Sequence, residues 1–305
     1  MNARPGQADL EALAGMLDET DEEIRQTLKE ALFSIGEEVL PYLEKARMQA
    51  DDPARQDRIG TLMGELQVDM ACKKLTAWKE ESEPDLLKGF YLFSSAFYPG
   101  LSWEKVRDEF NRLHGDCWLL LADDTSLSRK LALFNNFFFN QCGFRLGTKI
   151  VSDYDFADFF LPNLLDLRRG NDRSLALAYQ YLAKRNGLPV FLLNLPVVNL
   201  LACTTDIDSV AKEDIRFCID ITHHGSLINR MEVEPVFSQQ KHIGICNVVQ
   251  ALQDLAKLLH YIVSVRETDA LRKQAVKKLH DCLGSSPNSF PFSTPPPFEG
   301  EGADF

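Results

Sequence analysis

A helix followed by short strands, between residues 168 and 221, constrains the fold of this chain most strongly. The helix face is marked by apolar residues at i, i+3, i+4 and i+7, which are Leu175, Ala178, Tyr179 and Leu182. Gly187 is expected to end the helix. Three apolar runs of strand-like composition follow, at residues 189–193, 197–201 and 217–221. The order of helix and buried strands predicts an α+β domain.

Ser174 stands where this helix is predicted to begin. Helix-terminal N–H groups and the helix dipole favour negative charge, so a thiol at this position would have a lowered pKa and serve as a nucleophile. The residue here carries a hydroxyl, which needs a neighbouring base to react. Serine is also a common N-cap that accepts a backbone N–H. The N-cap is the favoured interpretation, and the nucleophile is the alternative.

Several short motifs around this helix carry a family resemblance. They are residues 137–144 (FFFNQCGF), Asp153-Tyr154, residues 163–171 (NLLDLRRGN), Ser174-Leu175, Leu195-Pro196 and residues 218–220 (CID). On these motifs the chain resembles the transglutaminase-like superfamily, and within it the bacterial SirB-type proteins. The resemblance implies a helical N-terminal region followed by a transglutaminase-like, papain-like α+β domain.

The same resemblance implies where a catalytic triad would lie. Enzymes of the superfamily hold Cys at the helix start, His on the next strand, and Asp or Asn on the strand after that. These positions fall on Ser174, Val198 and Asp220, so only the third keeps its residue. Valine takes no proton, and loss of one member of a catalytic set removes most of the rate enhancement. A degenerate triad is therefore predicted, in a pseudoenzyme with no catalytic residue.

His223 and His224 follow Asp220 closely and leave alternatives open. Either histidine would join Ser174 and Asp220 in a Ser-dependent acyl transferase or amide hydrolase. The same residues would otherwise be metal ligands, but structural zinc sites generally need four ligands, commonly with several Cys. No metal and no other cofactor is expected. The default interpretation is a polar turn that follows the sheet.

A small-ligand binding module is the third interpretation of this region. Its candidate binding residues are Arg173, Asn199, His223 and His224. A carboxylate or an amide would be held in the former cleft, near Arg173. The surrounding basic cluster of Arg168, Arg169 and Arg173 is expected to pair with Asp166 and Asp172 on the surface.

The composition argues against several classes of function. The 305 residues carry a formal net charge of -12, whereas nucleic acid binding requires clustered Lys and Arg. No apolar run is long enough to span a bilayer, and residues 1–10 lack the form of a signal peptide. A cytoplasmic protein without membrane insertion is predicted. The seven cysteines contain no C-x-x-C pair and are expected to be reduced and packed.

Four regions are predicted along the chain. Residues 1–125 are expected to form HEAT-like helices, because apolar residues recur there at helical spacing. Residues 126–245 form the transglutaminase-like domain, and residues 246–284 form C-terminal helices that pack on its core. Residues 285–305 are rich in Ser, Pro and Phe and are predicted to be a disordered tail.

The sequence as a whole predicts a non-catalytic protein that acts by binding another protein, whose identity stays open. The degenerate site, the N-terminal helices and the tail are the candidate binding surfaces. In the tail, Phe290, Phe292 and Phe298 surround a polyproline stretch and are candidate anchors for a partner.

Overall fold

Helices and one antiparallel sheet make up the described part of the chain. The computed structural model describes residue 13 and residues 22–121, 126–193, 200–208, 211–239 and 244–284. The helices are α1 (Glu22–Ile35), α2 (Leu40–Gln49), α3 (Pro53–Lys79), α4 (Leu86–Ser95), α5 (Trp103–Leu121), α6 (Leu127–Asn135), α7 (Leu161–Asp166), α8 (Asp172–Arg185), α9 (Arg230–Gln239), α10 (Val248–Arg266) and α11 (Ala270–Leu283). The strands are β1 (Arg145–Leu146), β2 (Arg169–Gly170), β3 (Val190–Leu192), β4 (Leu200–Thr204), β5 (Ile215–Asp220) and β6 (Ser226–Asn229). The predicted α+β class is confirmed, with helices before and after the sheet.

Gly36 separates the first two helices. Its φ of 79° lies in the left-handed region that favours glycine, and a 3-10 turn, Gly36–Val39, connects α1 to α2. Pro41 lies in the first turn of α2, where its missing N–H costs no hydrogen bond. A glycine thus marks the break between α1 and α2, and a proline marks the start of α2.

The 27-residue helix α3 joins two apolar cores. Ile59 and Leu66 pack with buried side chains of α1 and α2, whereas Trp78 belongs to the main core of the protein. Trp78 lies so close to Gly89 of α4 that any Cβ there would overlap the indole ring. Its indole N–H donates to the carbonyl oxygen of Asp85 at 2.9 Å. This close approach fixes α4 against α3, so that the main core begins at the C-terminal end of α3.

The four-stranded sheet has the antiparallel order β3-β4-β5-β6. Strand β4 is buried on both faces. Leu201 and Cys203 pack in the main core, while Leu200 and Ala202 pack in a smaller cluster with Val233 of α9. Burial of both faces explains why this strand is a continuous apolar run instead of alternating with polar residues. The strand continues three residues past the end that the sequence predicted at residue 201.

Two short parallel strands lead the chain into α8. Arg145 pairs with Arg169, and Leu146 pairs with Gly170. Arg168, directly before β2, has a φ of 53°, which is unusual for a residue with a side chain. Strands of two residues carry no periodic signal, and the sequence did not predict them.

The main core runs across residue 125, where a domain boundary was predicted. Phe93 of α4 and Phe110 of α5 belong to the same buried cluster as Tyr179 of α8 and Leu255 of α10. The four-region division stays a prediction, and residues 285–305 lie outside the described residues. Among the helices in the described ranges, none is both long enough and apolar enough to cross a bilayer.

Candidate functional site

Helix α8 is capped by Asn171. The Oδ1 atom of Asn171 accepts hydrogen bonds from the backbone N–H groups of Arg173 and Ser174, both at 2.9 Å. The helix therefore starts at Asp172, and the prediction that Ser174 is its N-cap is wrong. Asparagine and serine are both strong N-caps, and Asn171 and Ser174 stand three residues apart. The extended backbone of Asn171 decides between them.

Ser174 is enclosed in the first turn of α8. Its side chain is 0% exposed, and Oγ donates to the carbonyl oxygen of Asp158 at 2.6 Å. Oγ also lies 3.2 Å from the carbonyl oxygen of Asn171. Gly170 closes another side, because a Cβ there would lie 2.5 Å from Oγ. A backbone carbonyl accepts the hydroxyl hydrogen in this arrangement, and no side-chain base among the described residues does.

Asp158 contacts the residues around Ser174 through its carboxylate as well as through its backbone carbonyl. The side chain is 2% exposed and accepts hydrogen bonds from Asn163 at 2.6 Å and from Nε of Arg169 at 2.7 Å. The hydrogen bond to Asp158 raises the pKa of Arg169. Sequence reasoning missed Asp158. The signal that could have identified it is its place between aromatic residues, at residues 156–160. A carboxylate there is expected to be buried, and a buried charge requires hydrogen-bond or ion-pair partners.

The arginines before and within α8 pair mainly with carboxylates from other parts of the fold. The pairs are Arg168–Glu109, Arg169–Asp155, Arg169–Asp158 and Arg173–Asp254. Surface pairing with Asp166 and Asp172, which the sequence predicted, is therefore wrong. Arg173 does lie 3.9 Å from Asp172, but both side chains are buried. The prediction rested on the carboxylates nearest in sequence, whereas folding brings carboxylates from other segments of the chain nearer in space.

A buried charge cluster surrounds the first turn of α8. Nε of Arg173 lies 2.7 Å from Oδ2 of Asp254 in α10. Asp172 and Arg173 are 8% and 6% exposed. Burial raises the pKa of Asp172. Burial lowers the pKa of Arg173, but the carboxylates of Asp254 and Asp172 more than offset it, so that the net direction is upward. Tyr154 adjoins the cluster, and its pKa is raised first by burial and then by Asp172.

Several polar atoms of this turn have no hydrogen-bond partner among the described residues. They are Nδ2 of Asn171, Oδ1 of Asp172, and Nε and one terminal nitrogen of Arg173. The Arg173–Asp254 contact is therefore an ion pair by distance, without the alignment of a hydrogen bond. As a candidate ligand-binding residue, Arg173 is buried and its charge is already compensated by Asp254.

Asp220 and His223 are brought together at the end of β5. Oδ2 of Asp220 lies 2.6 Å from Nδ1 of His223, whose side chain is 62% exposed. Oδ1 of Asp220 accepts hydrogen bonds from the backbone N–H of Thr222 at 2.8 Å and from its hydroxyl at 2.6 Å. Helix α8 packs against this turn. The hydrogen bonds of the Ser174 hydroxyl within the described residues nevertheless go to backbone carbonyls.

His224 continues the turn in a left-handed conformation, with a φ of 55°. Its ring centroid lies 5.5 Å from that of Phe139. The predicted polar turn is present here, but it joins β5 to β6 within the sheet instead of following the sheet. The sequence placed His224 beside Ser174 as an alternative base, but the ring contact that the structure gives it is with an aromatic side chain of the core.

A buried relay ties this turn to two helices. The hydroxyl of Tyr179 in α8 donates to Oδ1 of Asn135 in α6 at 2.7 Å, and Nδ2 of Asn135 donates to the carbonyl oxygen of Gly225 at 2.6 Å. Gly225 has a φ of 74°, and a Cβ there would overlap Asn135. Sequence reasoning missed Asn135. The signal that pointed to such a residue was Tyr179, because its hydroxyl is buried on the predicted helix face and requires a hydrogen-bond partner.

Two of the predicted site residues lie in a part of the chain outside the described residues. Val198, at the predicted histidine position, and Asn199, a candidate ligand-binding residue, fall in the undescribed segment before β4. Leu200, the first residue of β4, pairs with Asp220. Across the described ranges, no group of three or more His, Cys, Asp or Glu side chains is placed to hold a metal ion.

A helix packed on an antiparallel sheet, with an acidic residue at the end of β5 beside the helix, defines an α+β protein of transglutaminase-like layout. Residues 104–256, half of the chain, match the transglutaminase-like superfamily, and the chain belongs to that superfamily. The resemblance drawn from the sequence motifs is confirmed at this level. Neither the curated proteins nor the solved structures contain a significant match.

Proposed function

We propose that this chain is a SirB-type member of the superfamily that has lost nucleophilic catalysis and acts in the cytoplasm by binding another protein. One observation carries the proposal. The hydroxyl of Ser174 is fully buried and donates its proton to the backbone carbonyl of Asp158 at 2.6 Å. A catalytic serine must give that proton to a base, which a third group orients. A backbone carbonyl is not such a base.

Val198 supports the same proposal. It stands at the position where the resemblance implies a histidine, and a hydrocarbon side chain takes no proton. Asp220, the remaining member of the set, accepts hydrogen bonds from Thr222. In this proposal Asp220 stabilises the turn after β5, and the former catalytic centre serves as part of the core.

We assign partner binding to the α3–α11 groove, a groove of about 830 Å³ between the N-terminal helices and α11. A volume of this size is typical of ligand and peptide sites. Its apolar lining residues include Phe33, Leu40, Met63, Val68, Phe97 and Leu271. Gly64 also lines the groove, and a Cβ added there meets nothing within 4 Å. The groove therefore offers apolar surface with room beside α3.

The charge of the groove defines the chemistry of the occupant. Its lining includes four cationic side chains and three carboxylates, namely Lys29, Arg47, Arg272 and Lys278, and Glu44, Glu65 and Asp269. The chain as a whole carries -12, so this surface is much less acidic than the rest. We infer that the occupant is a partner segment with apolar side chains flanked by acidic residues.

A pull-down from native cytoplasm with four matched baits tests the proposal. Wild-type protein and Ser174→Ala are expected to retain the same partner in equal amount. Gly64→Trp fills the groove and is expected to retain at least about tenfold less. Gly115→Trp is the control, because Gly115 in α5 also has open space around it. Equal retention by Gly64→Trp and Gly115→Trp would contradict the assignment of the groove.

The tail of residues 285–305 has the same chemistry as the proposed occupant. It contains Phe290 and Phe292 and carries Glu299, Glu301 and Asp304 without any Lys or Arg. The double variant Phe290→Ser/Phe292→Ser separates a competing tail from an external partner. Increased capture of the partner by this variant would mean that the tail occupies the groove in the wild-type chain. Unchanged capture leaves the external segment as the occupant.

The competing function is a Ser-dependent hydrolase, and the contact between Asp220 and His223 favours it. An exposed imidazole held by a carboxylate is the arrangement of a general base. An acylating fluorophosphonate probe distinguishes the two functions. Covalent labelling of wild-type protein at Ser174, absent in Ser174→Ala, would overturn the non-catalytic proposal.

A further inference from the structure

Two cysteines face each other across the packed helices α3 and α11. Lys278 of α11 lies 2.8 Å from Asp69 of α3, and Nζ of Lys79 of α3 donates to the carbonyl oxygen of Cys282 at 2.5 Å. Residue numbers rise together along both helices in these contacts, which fix the register of α3 and α11. Cys72 of α3 lies between Asp69 and Lys79, opposite the last turns of α11.

Both sulfur atoms contact the last two turns of α11. Sγ of Cys72 lies 3.6 Å from the carbonyl oxygen of Lys278, which belongs to the turn that Cys282 completes. Sγ of Cys282 lies 3.1 Å from the carbonyl oxygen of Leu279. Each of the two thiols shifts the pKa of the other. Both sulfurs are free thiols on packed, neighbouring turns of the two helices.

The two thiols differ in exposure and in acidity. Cys72 is 7% exposed, whereas Cys282 is only partly buried. The hydrogen bond from Cys72, and then the nearby cations of Lys79 and Lys278, lower the pKa of Cys282. The same hydrogen bond, and burial, raise the pKa of Cys72. A more exposed, more acidic cysteine beside a protected one is the arrangement of an attacking and a resolving thiol.

We propose that Cys282 and Cys72 form a peroxide-oxidised site that closes an intrachain disulfide between α11 and α3. The Cys282 thiolate attacks one oxygen of hydrogen peroxide, the O–O bond breaks, and the leaving hydroxide takes a proton to become water. The resulting sulfenic acid is attacked by the sulfur of Cys72, which loses its proton as the S–O bond breaks and a second water leaves. Two thiols and one peroxide thus yield one disulfide and two waters.

The consequence of the disulfide is a fixed pairing of α3 and α11. Both helices line the α3–α11 groove, α3 through Gly64 and Val68 and α11 through Leu271 and Ala275. The bond would form between segments that already touch, so oxidation is expected to lock the groove without rearranging it. The oxidation site stands independently of what the groove binds.

Mass spectrometry of the wild-type chain after peroxide treatment tests the site. The intact mass is expected to fall by two hydrogen atoms, and a non-reducing digest is expected to contain the peptides of Cys72 and Cys282 joined. Cys142 is the internal control, since it is also partly exposed but burial raises its pKa to about 11. Cys282 is expected to react with peroxide about tenfold or more faster than Cys142. The lower pKa of Cys282 gives it a larger thiolate fraction, which outweighs the lower intrinsic nucleophilicity of a more acidic thiol.

Two variants divide the roles of the pair. Cys72→Ser is expected to leave Cys282 oxidised to the sulfinic acid without a crosslink, and Cys282→Ser is expected to leave Cys72 reduced. Cys142→Ser should retain the wild-type crosslink. If the wild-type chain formed no joined peptide while Cys142 oxidised at the same rate as Cys282, the proposal would be overturned, whatever the folding of the variants.

Discussion

Arg173 and Asp254 form a largely buried ion pair that joins the first turn of α8 to α10, with Nε and Oδ2 2.7 Å apart. The side chain of Arg173 is 7% exposed and that of Asp254 is 25% exposed. Two charges removed from water recover their desolvation cost only while both are present. The pair therefore holds the candidate site against the C-terminal helices, and either partner left alone would be strongly unfavourable.

Replacing Asp254 alone is the first prediction. Asp254→Ala leaves the guanidinium of Arg173 buried with Asp172 as its one ion-pair partner among the described residues, and we expect a loss of about 3–5 kcal/mol in the free energy of unfolding. Urea denaturation followed by circular dichroism measures it. The double variant Arg173→Met/Asp254→Leu removes both charges and is expected to recover most of the loss. A double variant as unstable as the single one would show that the ion pair itself does not explain the effect.

Ser174→Ala is predicted to affect stability to a modest degree. The variant loses the hydrogen bond to the carbonyl oxygen of Asp158, which still accepts one from the backbone of Asn171. Because that acceptor stays satisfied, we expect a loss of only about 1 kcal/mol, measured by thermal denaturation. Ser128→Ala, at an exposed position of α6, is the control and should change stability by less than about 0.5 kcal/mol.

Gly170→Ala tests how tightly the turn before α8 is packed. The added Cβ would lie 2.5 Å from Oγ of Ser174 and 2.9 Å from a methyl group of Leu164. We expect a destabilisation of about 1–3 kcal/mol from overpacking. Gly115→Ala, in α5 with nothing within 4 Å, should instead stabilise the protein by up to about 1 kcal/mol through helix propensity. The midpoints of unfolding of the two variants are expected to shift from the wild-type value in opposite directions. Equal shifts would contradict the overpacking at Gly170.

Glu109 is predicted to make stability depend on pH in acid. Hydrogen bonds from Arg112 and then Arg168 lower the pKa of Glu109 from 4.5 to about 2. A carboxyl with a lowered folded-state pKa contributes stability above its unfolded pKa and loses it as pH falls through the folded value. Glu109→Gln should therefore cost on the order of 1 kcal/mol near neutral pH, since partial exposure weakens the pairs.

The difference between wild type and Glu109→Gln should shrink as pH falls from 4.5 toward 2. Denaturant midpoints measured across this range check the prediction. Asp108→Asn is the matched control on the same helix, because the Arg107–Asp108 pair is largely exposed. Its effect should stay within about 0.5 kcal/mol of the wild type at every pH. A constant gap for Glu109→Gln down to the lowest pH would be the contrary result.

Local sequence patterns predicted much of the helical structure. C-terminal helices were predicted within residues 246–284, where the structure has α11 at Ala270–Leu283 and α10 beginning at Val248. Asn247 also accepts the hydrogen bond of a capping box there. Such signals are readable because every interaction that sets them lies within four residues along the chain.

The candidate site was predicted only in part from the sequence. The motifs identified the superfamily and drew attention to Ser174 and Asp220, but the helix cap was assigned to Ser174 instead of Asn171. Asp158 and Asn135 went unnoticed, since each acts through partners that are distant in the chain, apart from nearby Asn163. Their roles depend on the approach of separate elements, which no local pattern records.

The sequence by itself determined most of the helices and the longer buried strands, because backbone propensity and apolar periodicity act locally. Only the tertiary structure decided how the charges and hydroxyls of the site are used. Arg168 pairs with Glu109, 59 residues away, and the Ser174 hydroxyl is committed to Asp158. The physical reason is burial: once water is removed, each polar group takes the partner that folding brings within reach, whatever its distance in sequence.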